Sequence, residues 1–96
     1  MSSLAILDFL FDDDNEEEMA RHGITPEMAL QILENPMVVL PNRKDRRAKY
    51  LIIGRDRGGA CLAVPVEPTH EPSLWRPVTA WRCKEREHAR LGEVTR

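Results

Sequence analysis

Residues 49–66, KYLIIGRDRGGACLAVPV, hold two short apolar runs around a glycine-rich loop. Tyr50-Leu51-Ile52-Ile53 and Ala60-Cys61-Leu62-Ala63-Val64 are rich in strand formers, and Gly54-Arg55-Asp56-Arg57-Gly58-Gly59 between them supplies the glycines that a hairpin needs for positive φ. Apolar residues on consecutive positions, rather than alternate ones, mark strands covered on both faces. The expectation is a β-hairpin in mid-sheet with a helix packed across it. Pro65 lacks an N–H, so the second strand is expected to stop pairing fully there.

Moving toward the N-terminus, Met37-Val38-Val39-Leu40 reads as a short strand closed by Pro41-Asn42. Ahead of it, Thr25-Pro26-Glu27 is a helix start: Thr as N-cap, Pro at the first helical position, an acid in the first turn. Met28, Ala29, Ile32 and Leu33 share one face of that helix, and Asn35-Pro36 ends it. Asp12-Asp13-Asp14 offers N-cap candidates for an earlier helix that ends at His22, with Gly23 as its left-handed stop. Its acids precede Arg21 and His22, the order that the helix dipole favours. The acidic run lacks the spacing and central glycine of a calcium loop and reads as a solvated helix start. Leu4 to Phe11 reads as a first strand, with Phe9 and Phe11 on one face.

Toward the C-terminus, Glu67 to Ser73 is a proline-rich loop and Trp75 to Cys83 alternates as a last strand. Two-residue periodicity places Arg76, Val78, Ala80 and Arg82 on one face and Trp75, Thr79, Trp81 and Cys83 on the other. Lys84 to Leu91 reads as a short charged helix stopped by Gly92. The whole is expected to be a single α+β domain over residues 1–96: a small, mostly antiparallel sheet, two N-terminal helices packed on it and a short C-terminal helix.

No stretch reaches the roughly 18 apolar residues of a membrane span, and the first residues lack the basic flank of a signal peptide. Cys61 and Cys83 have no metal-ligand spacing; the expectation is two reduced, packed thiols in a cytoplasmic protein, with no metal and no cofactor. The net charge of −2 hides an asymmetry. Nine acids and one arginine precede Arg43, net −8; thirteen Lys/Arg and seven Asp/Glu follow from there, net +6. A basic half suggests a patch for a polyanion or an acidic partner, unless folding intermixes the halves. Arg43-Lys44-Asp45-Arg46-Arg47-Ala48-Lys49 is its densest part, suited either to a phosphate backbone or to a charged, solvated connection.

Phe11-Asp12 with Ala20-Arg21-His22-Gly23-Ile24-Thr25-Pro26-Glu27 resembles the "WD…KHGV(T/S)xEE" opening of the BrnT-like toxin family. Tyr50-Leu51-Ile52-Ile53-Gly54-Arg55 and Arg76-Pro77-Val78-Thr79-Ala80 resemble its "RYxxxG" and "R(P)I(T/S)AR" strands, in the same order, and Glu87 falls where its closing helix carries Glu. The resemblance covers about residues 9 to 91. It implies a RelE-like fold and the toxin of a type II toxin–antitoxin pair: a ribonuclease whose partners are RNA and a DNA-binding antitoxin, with no membrane and with homo-oligomers left open.

Metal-free RNA cleavage needs a base for the 2′-OH, an acid for the leaving oxygen and cations for the phosphorane. The candidates are His22 for proton work, Arg55 and Arg76 as phosphate ligands and Glu87 as base. His22 could equally cap its helix, and Glu87 could pair with Arg86 or Arg90. Arg43, Arg46, Arg47 and Trp81 are the RNA-binding candidates, Trp81 as a stacking surface or as core. Arg43, Arg46, Arg47, Arg55 and Arg76 are expected to converge on one basic surface away from the acidic helix. The sequence departs from the family at Ala60 and Trp81, where arginines are common, and at Leu91, usually Tyr. The expected function is therefore an endoribonuclease toxin or a relative with weakened activity; the alternative is a non-catalytic RNA- or protein-binding domain on the same fold, and a further one a structural subunit that meets an acidic chain.

Overall fold

The hairpin forms where the apolar runs place it. In the computed structural model, which describes residues 6–42 and 47–95, β3 (Tyr50–Arg55) pairs antiparallel with β4 (Cys61–Pro68) from Tyr50↔Val66 to Arg55↔Cys61. The loop is closed by Asp56, whose N–H donates to the Ala60 carbonyl and whose Oδ1 accepts the Ala60 N–H at 2.9 Å. Gly59 there has φ +90°, a left-handed conformation that glycine adopts without steric penalty.

Around it lie β1 (Asp8–Phe9), α1 (Asp13–Ala20), α2 (Pro26–Gln31) with a 3-10 turn (Ile32–Glu34), β2 (Val38–Pro41), β5 (Leu74–Pro77), β6 (Trp81–Arg82) and α3 (Glu85–Thr95). The described residues thus form an α+β fold with a six-stranded mixed sheet, ordered β1-β5-β4-β3-β2, with β6 also on β4. Among the described residues only the β1–β5 pairing is parallel. The first strand, Asp8–Phe9, is shorter than the apolar run from Leu4 to Phe11 suggested, and Leu4 and Ala5 lie outside the described residues.

Consecutive apolar positions do feed two faces. Ile52, Leu62, Val64 and Val66 pack with Met19, Ala29 and Ile32 of the N-terminal helical segments and with Ile24 of the connection between them. Ile53, Cys61 and Ala63 pack on the other side with Val38 and with Leu91 of α3. Ile52 and Leu62, on which the mid-sheet expectation rests, are both 0 % exposed. Gly54 lets the 3-10 turn approach β3: a Cβ built there would lie 3.0 Å from the Ile32 Cβ.

Both helix starts are capped as expected. The Asp12 side chain accepts the Asn15 N–H at 2.9 Å, the Asn15 side chain accepts the Asp12 N–H, and Thr25 Oγ1 accepts the Met28 N–H. Gly23, at φ +73°, follows His22 after α1.

Gly92 does not stop the last helix, which runs on to Thr95, and three further expectations are corrected. Pro65 does not end β4: the strand runs to Pro68, and the Pro65 carbonyl accepts the Val78 N–H at 2.9 Å. Nor is there one continuous last strand. Between the pairs Val66↔Pro77 and Ala63↔Trp81, β4 has two residues and the opposing chain three, Val78, Thr79 and Ala80. Where Pro65 offers no donor, an extra residue costs no ladder bond, and the resulting bulge inverts the faces that follow. Trp75 therefore packs on the first face, against Tyr50, whereas Trp81 and Cys83 lie on the second. Thirdly, Cys61 and Cys83 are not separate thiols. They are the next register pair of β4 and β6, their Cα atoms 5.3 Å apart and their sulfurs bonded.

Candidate nucleic-acid interface

α3 packs on the second face through Leu91, in one cluster with Val38, Ile53, Cys61 and Ala63, and a groove opens farther along that face. There Leu51, Pro65 and Val78 floor a groove of about 520 Å³, rimmed by Arg47, Lys84 and Arg86 and walled by Trp81 and Glu87. An apolar floor, an aromatic wall and a cationic rim suit a base and the phosphates on either side of it.

Glu87 shapes this wall. It is 7 % exposed, and its Oε1 accepts the Lys84 backbone N–H at 2.7 Å and the Trp81 indole Nε1–H at 3.1 Å. One carboxylate therefore closes the first turn of α3 and fixes the ring of Trp81. The pairing with Arg86 or Arg90 weighed from sequence is replaced by these two neutral donors. Lys84 Nζ stands 5.7 Å from the Trp81 ring centroid, within cation–π range. Trp81 is half-buried: it packs against the second core cluster and also lines the groove.

Arg76 behaves differently from a waiting phosphate ligand. Its side chain is 14 % exposed; Nε and one terminal nitrogen hold the two Asp12 oxygens at 2.7 and 3.0 Å, and the other terminal nitrogen holds Glu67 Oε2 at 2.7 Å. Arg47 adds a contact to the same Glu67 oxygen at 2.9 Å. Two arginines and two carboxylates thus make a neutral cluster, in which Asp12 is held below the usual carboxylate range first by its hydrogen bond to Arg76. The Arg76 guanidinium is in turn held protonated by Asp12. The cluster borders a second cleft of about 430 Å³ between α1 and the β5–β6 bulge, where Glu17, Glu18 and Arg21 face Arg47 and Arg76.

The arginines expected on one basic surface are dispersed. Arg43 and Arg46 lie outside the described residues. Arg55 sits at the hairpin-turn end of β3 in a cleft with Asn35, Asp56 and Arg57, about 17 Å along the strand from Tyr50. Arg57 beside it is bound to Glu34 at 2.7 and 3.0 Å, and Arg76 is bound to the acidic helix's own N-cap. His22 is exposed at the end of α1 and lines neither the groove nor these clefts. Of the sequence candidates, the groove brings together Arg47, Trp81 and Glu87, and adds Lys84 and Arg86.

Lys84 and Arg86 were hidden inside a charged helix whose useful face depends on the bulge before it. Asn15 was hidden too, within an acidic run. It is 1 % exposed, and its amide donates to the Leu10 and Pro77 carbonyls at 2.9 Å each, tying α1 to β5.

Compared with known proteins, the chain matches no family model and no curated protein. Among the described residues no helix is long and apolar enough to cross a membrane, and no cluster of His, Cys, Asp or Glu could hold a metal ion.

Proposed function

We propose that this chain is a diverged BrnT-like domain with a RelE-like helix arrangement, which binds single-stranded RNA and cuts it weakly if at all. Its setting is the cytoplasm, and its protein partner is the DNA-binding antitoxin of a type II pair. What carries the RNA reading is the groove: the Lys84 and Arg86 cations beside a fixed indole over an apolar floor, with Arg47, paired to Glu67, on the rim. What argues for weak cutting is the dispersal of the proton-transfer and phosphate-binding candidates. His22 is outside the groove, Arg55 at the far end of the hairpin, Arg76 neutralised, and Glu87 occupied by two N–H donors.

The test is binding of a single-stranded RNA oligonucleotide as a function of salt. Each phosphate neutralised adds roughly 0.7 to the slope of log affinity against log salt, and Arg47 is already paired with Glu67, so Lys84 and Arg86 together give a slope of about −1.4. Replacing Lys84 or Arg86 by Ala should lower the slope by about 0.7 each, and Trp81→Ala should weaken binding with little change in slope. Affinity indifferent to salt, or to all three substitutions, rules the groove out as the RNA site.

A further inference from the structure

We infer that the Cys61–Cys83 disulfide is a redox-operated strap that determines whether the β6–α3 wall of the groove is assembled. The inference concerns regulation of the proposed RNA site and, for its effect on affinity, rests on that reading. β6 is two residues long and is joined to β4 by Leu62↔Arg82 and Ala63↔Trp81. Immediately before it comes the bulge at residues 78–80, and immediately after Cys83 comes Lys84, whose N–H begins α3 on the Glu87 carboxylate. The disulfide stands at the end of this short ladder, next to the backbone bond from Cys83 N–H to the Cys61 carbonyl at 3.0 Å. It closes a loop of sequence separation 22 that contains the proline-rich turn and β5. A crosslink of that span removes much of the freedom the segment gains when the ladder opens. Trp81 and Lys84 lie two residues and one residue from the bridge, so opening there dismantles the groove's aromatic wall and one of its cations.

The two sulfurs differ in access. Cys61 is 5 % exposed within the second core cluster, whereas Cys83 is half-buried at the surface. A dithiol reductant therefore reaches Cys83 first. Its thiolate attacks the Cys83 sulfur, the S–S bond breaks, and Cys61 leaves as a thiolate that takes up a proton. The reductant's second thiol then displaces Cys83, so that two protein thiols form and the reductant becomes a disulfide. A low-molecular-weight disulfide drives the reverse exchange. In the cytoplasmic setting proposed above, a bond of this kind is made and broken rather than permanent.

The test compares the full chain, air-oxidised and after dithiothreitol, by free-thiol titration, by hydrogen exchange over residues 78–91, and by affinity for the RNA oligonucleotide. Reduction should free two thiols, speed exchange around Trp81 to Glu87, and weaken RNA binding by about tenfold, the result of a groove assembled in about one molecule in ten. Cys83→Ser, and separately Cys61→Ala, should match the reduced wild type and ignore dithiothreitol. Exchange unchanged by reduction overturns the strap, whatever the RNA result, and so does a chain whose two thiols stay free under oxidising conditions. Faster exchange without RNA binding in either state keeps the strap and removes the RNA reading instead.

Discussion

The Arg76 guanidinium grips both carboxylate oxygens of Asp12, and Asp12 is also the N-cap of α1. One ion pair therefore ties the first helix to β5, and the charge has a defined pH dependence. A carboxylate whose folded value lies below its unfolded one stabilises the fold fully above the unfolded value, and that contribution disappears as pH falls through the folded value. For Asp12 this means full stabilisation above about pH 4 and progressive loss below it. Asp12→Asn keeps a good N-cap but loses the ion pair. It should lower the melting temperature at pH 7 and flatten the acid limb, so that wild type and variant draw together as the pH falls below about 4. Parallel curves across the whole range would show that the pair contributes nothing through charge.

Asn15 is expected to be the most sensitive polar position in the N-terminal half. Its side chain accepts one N–H and donates to two carbonyls, one of them 62 positions away in sequence. Asn15→Ala leaves the Leu10 and Pro77 carbonyls without that donor, at about 1–3 kcal/mol for each group that water cannot reach. Urea unfolding should show a shifted midpoint with the slope preserved. Asp at this position keeps the cap acceptor and loses both donors, so Asn15→Asp should recover little of the loss.

Glu87 separates a supporting role from a catalytic one. Glu87→Gln retains an acceptor oxygen for the Lys84 N–H or the Trp81 indole, and Glu87→Ala removes the acceptor for both. Ala should cost about 1–3 kcal/mol of stability and shift the Trp81 fluorescence, while Gln should keep most of the stability and of the RNA affinity. A Gln variant that folds and binds like wild type, yet abolishes a measurable cleavage activity, would restore Glu87 as a general base.

Local chemistry makes the hairpin, both capped helix starts and the two-faced core legible in the sequence. Positive φ at Gly23 and Gly59, and capping by Asp12 and Thr25, are decided within a few residues. The features that shape the groove are decided by register across the sheet instead. A single extra residue opposite Pro65 sends Trp75 and Trp81 to opposite faces, and strict alternation had kept them together. The same register sets Cys83 against Cys61, which spacing alone could not reveal. Charge misled for a similar reason. Asp12 and Arg76 belong to halves of opposite charge, and the fold brings them together.

RNA cleavage can be tested by restoring the two cations that the family resemblance leads one to expect at positions 60 and 81. The structure makes these positions unequal. Ala60 follows the hairpin loop beside Asp56, whereas Trp81 walls the groove next to Glu87 and Lys84. A cation fixed beside a phosphorane is worth about 10²–10³ in rate, by analogy with a single oxyanion-hole donor. Trp81→Arg should therefore raise slow cleavage of single-stranded RNA, and with it growth arrest on expression, within that range at most, because Glu87 will neutralise part of the new charge. Ala60→Arg alone should leave cleavage unchanged, since it adds its charge near Arg55 at the other end of the strands. A double variant no faster than Trp81→Arg would fit this geometry. A wild type already fully toxic, and inactivated by Arg76→Ala, would show instead that the Asp12–Arg76–Glu67 cluster opens to admit a phosphate, and that the chain cuts RNA there.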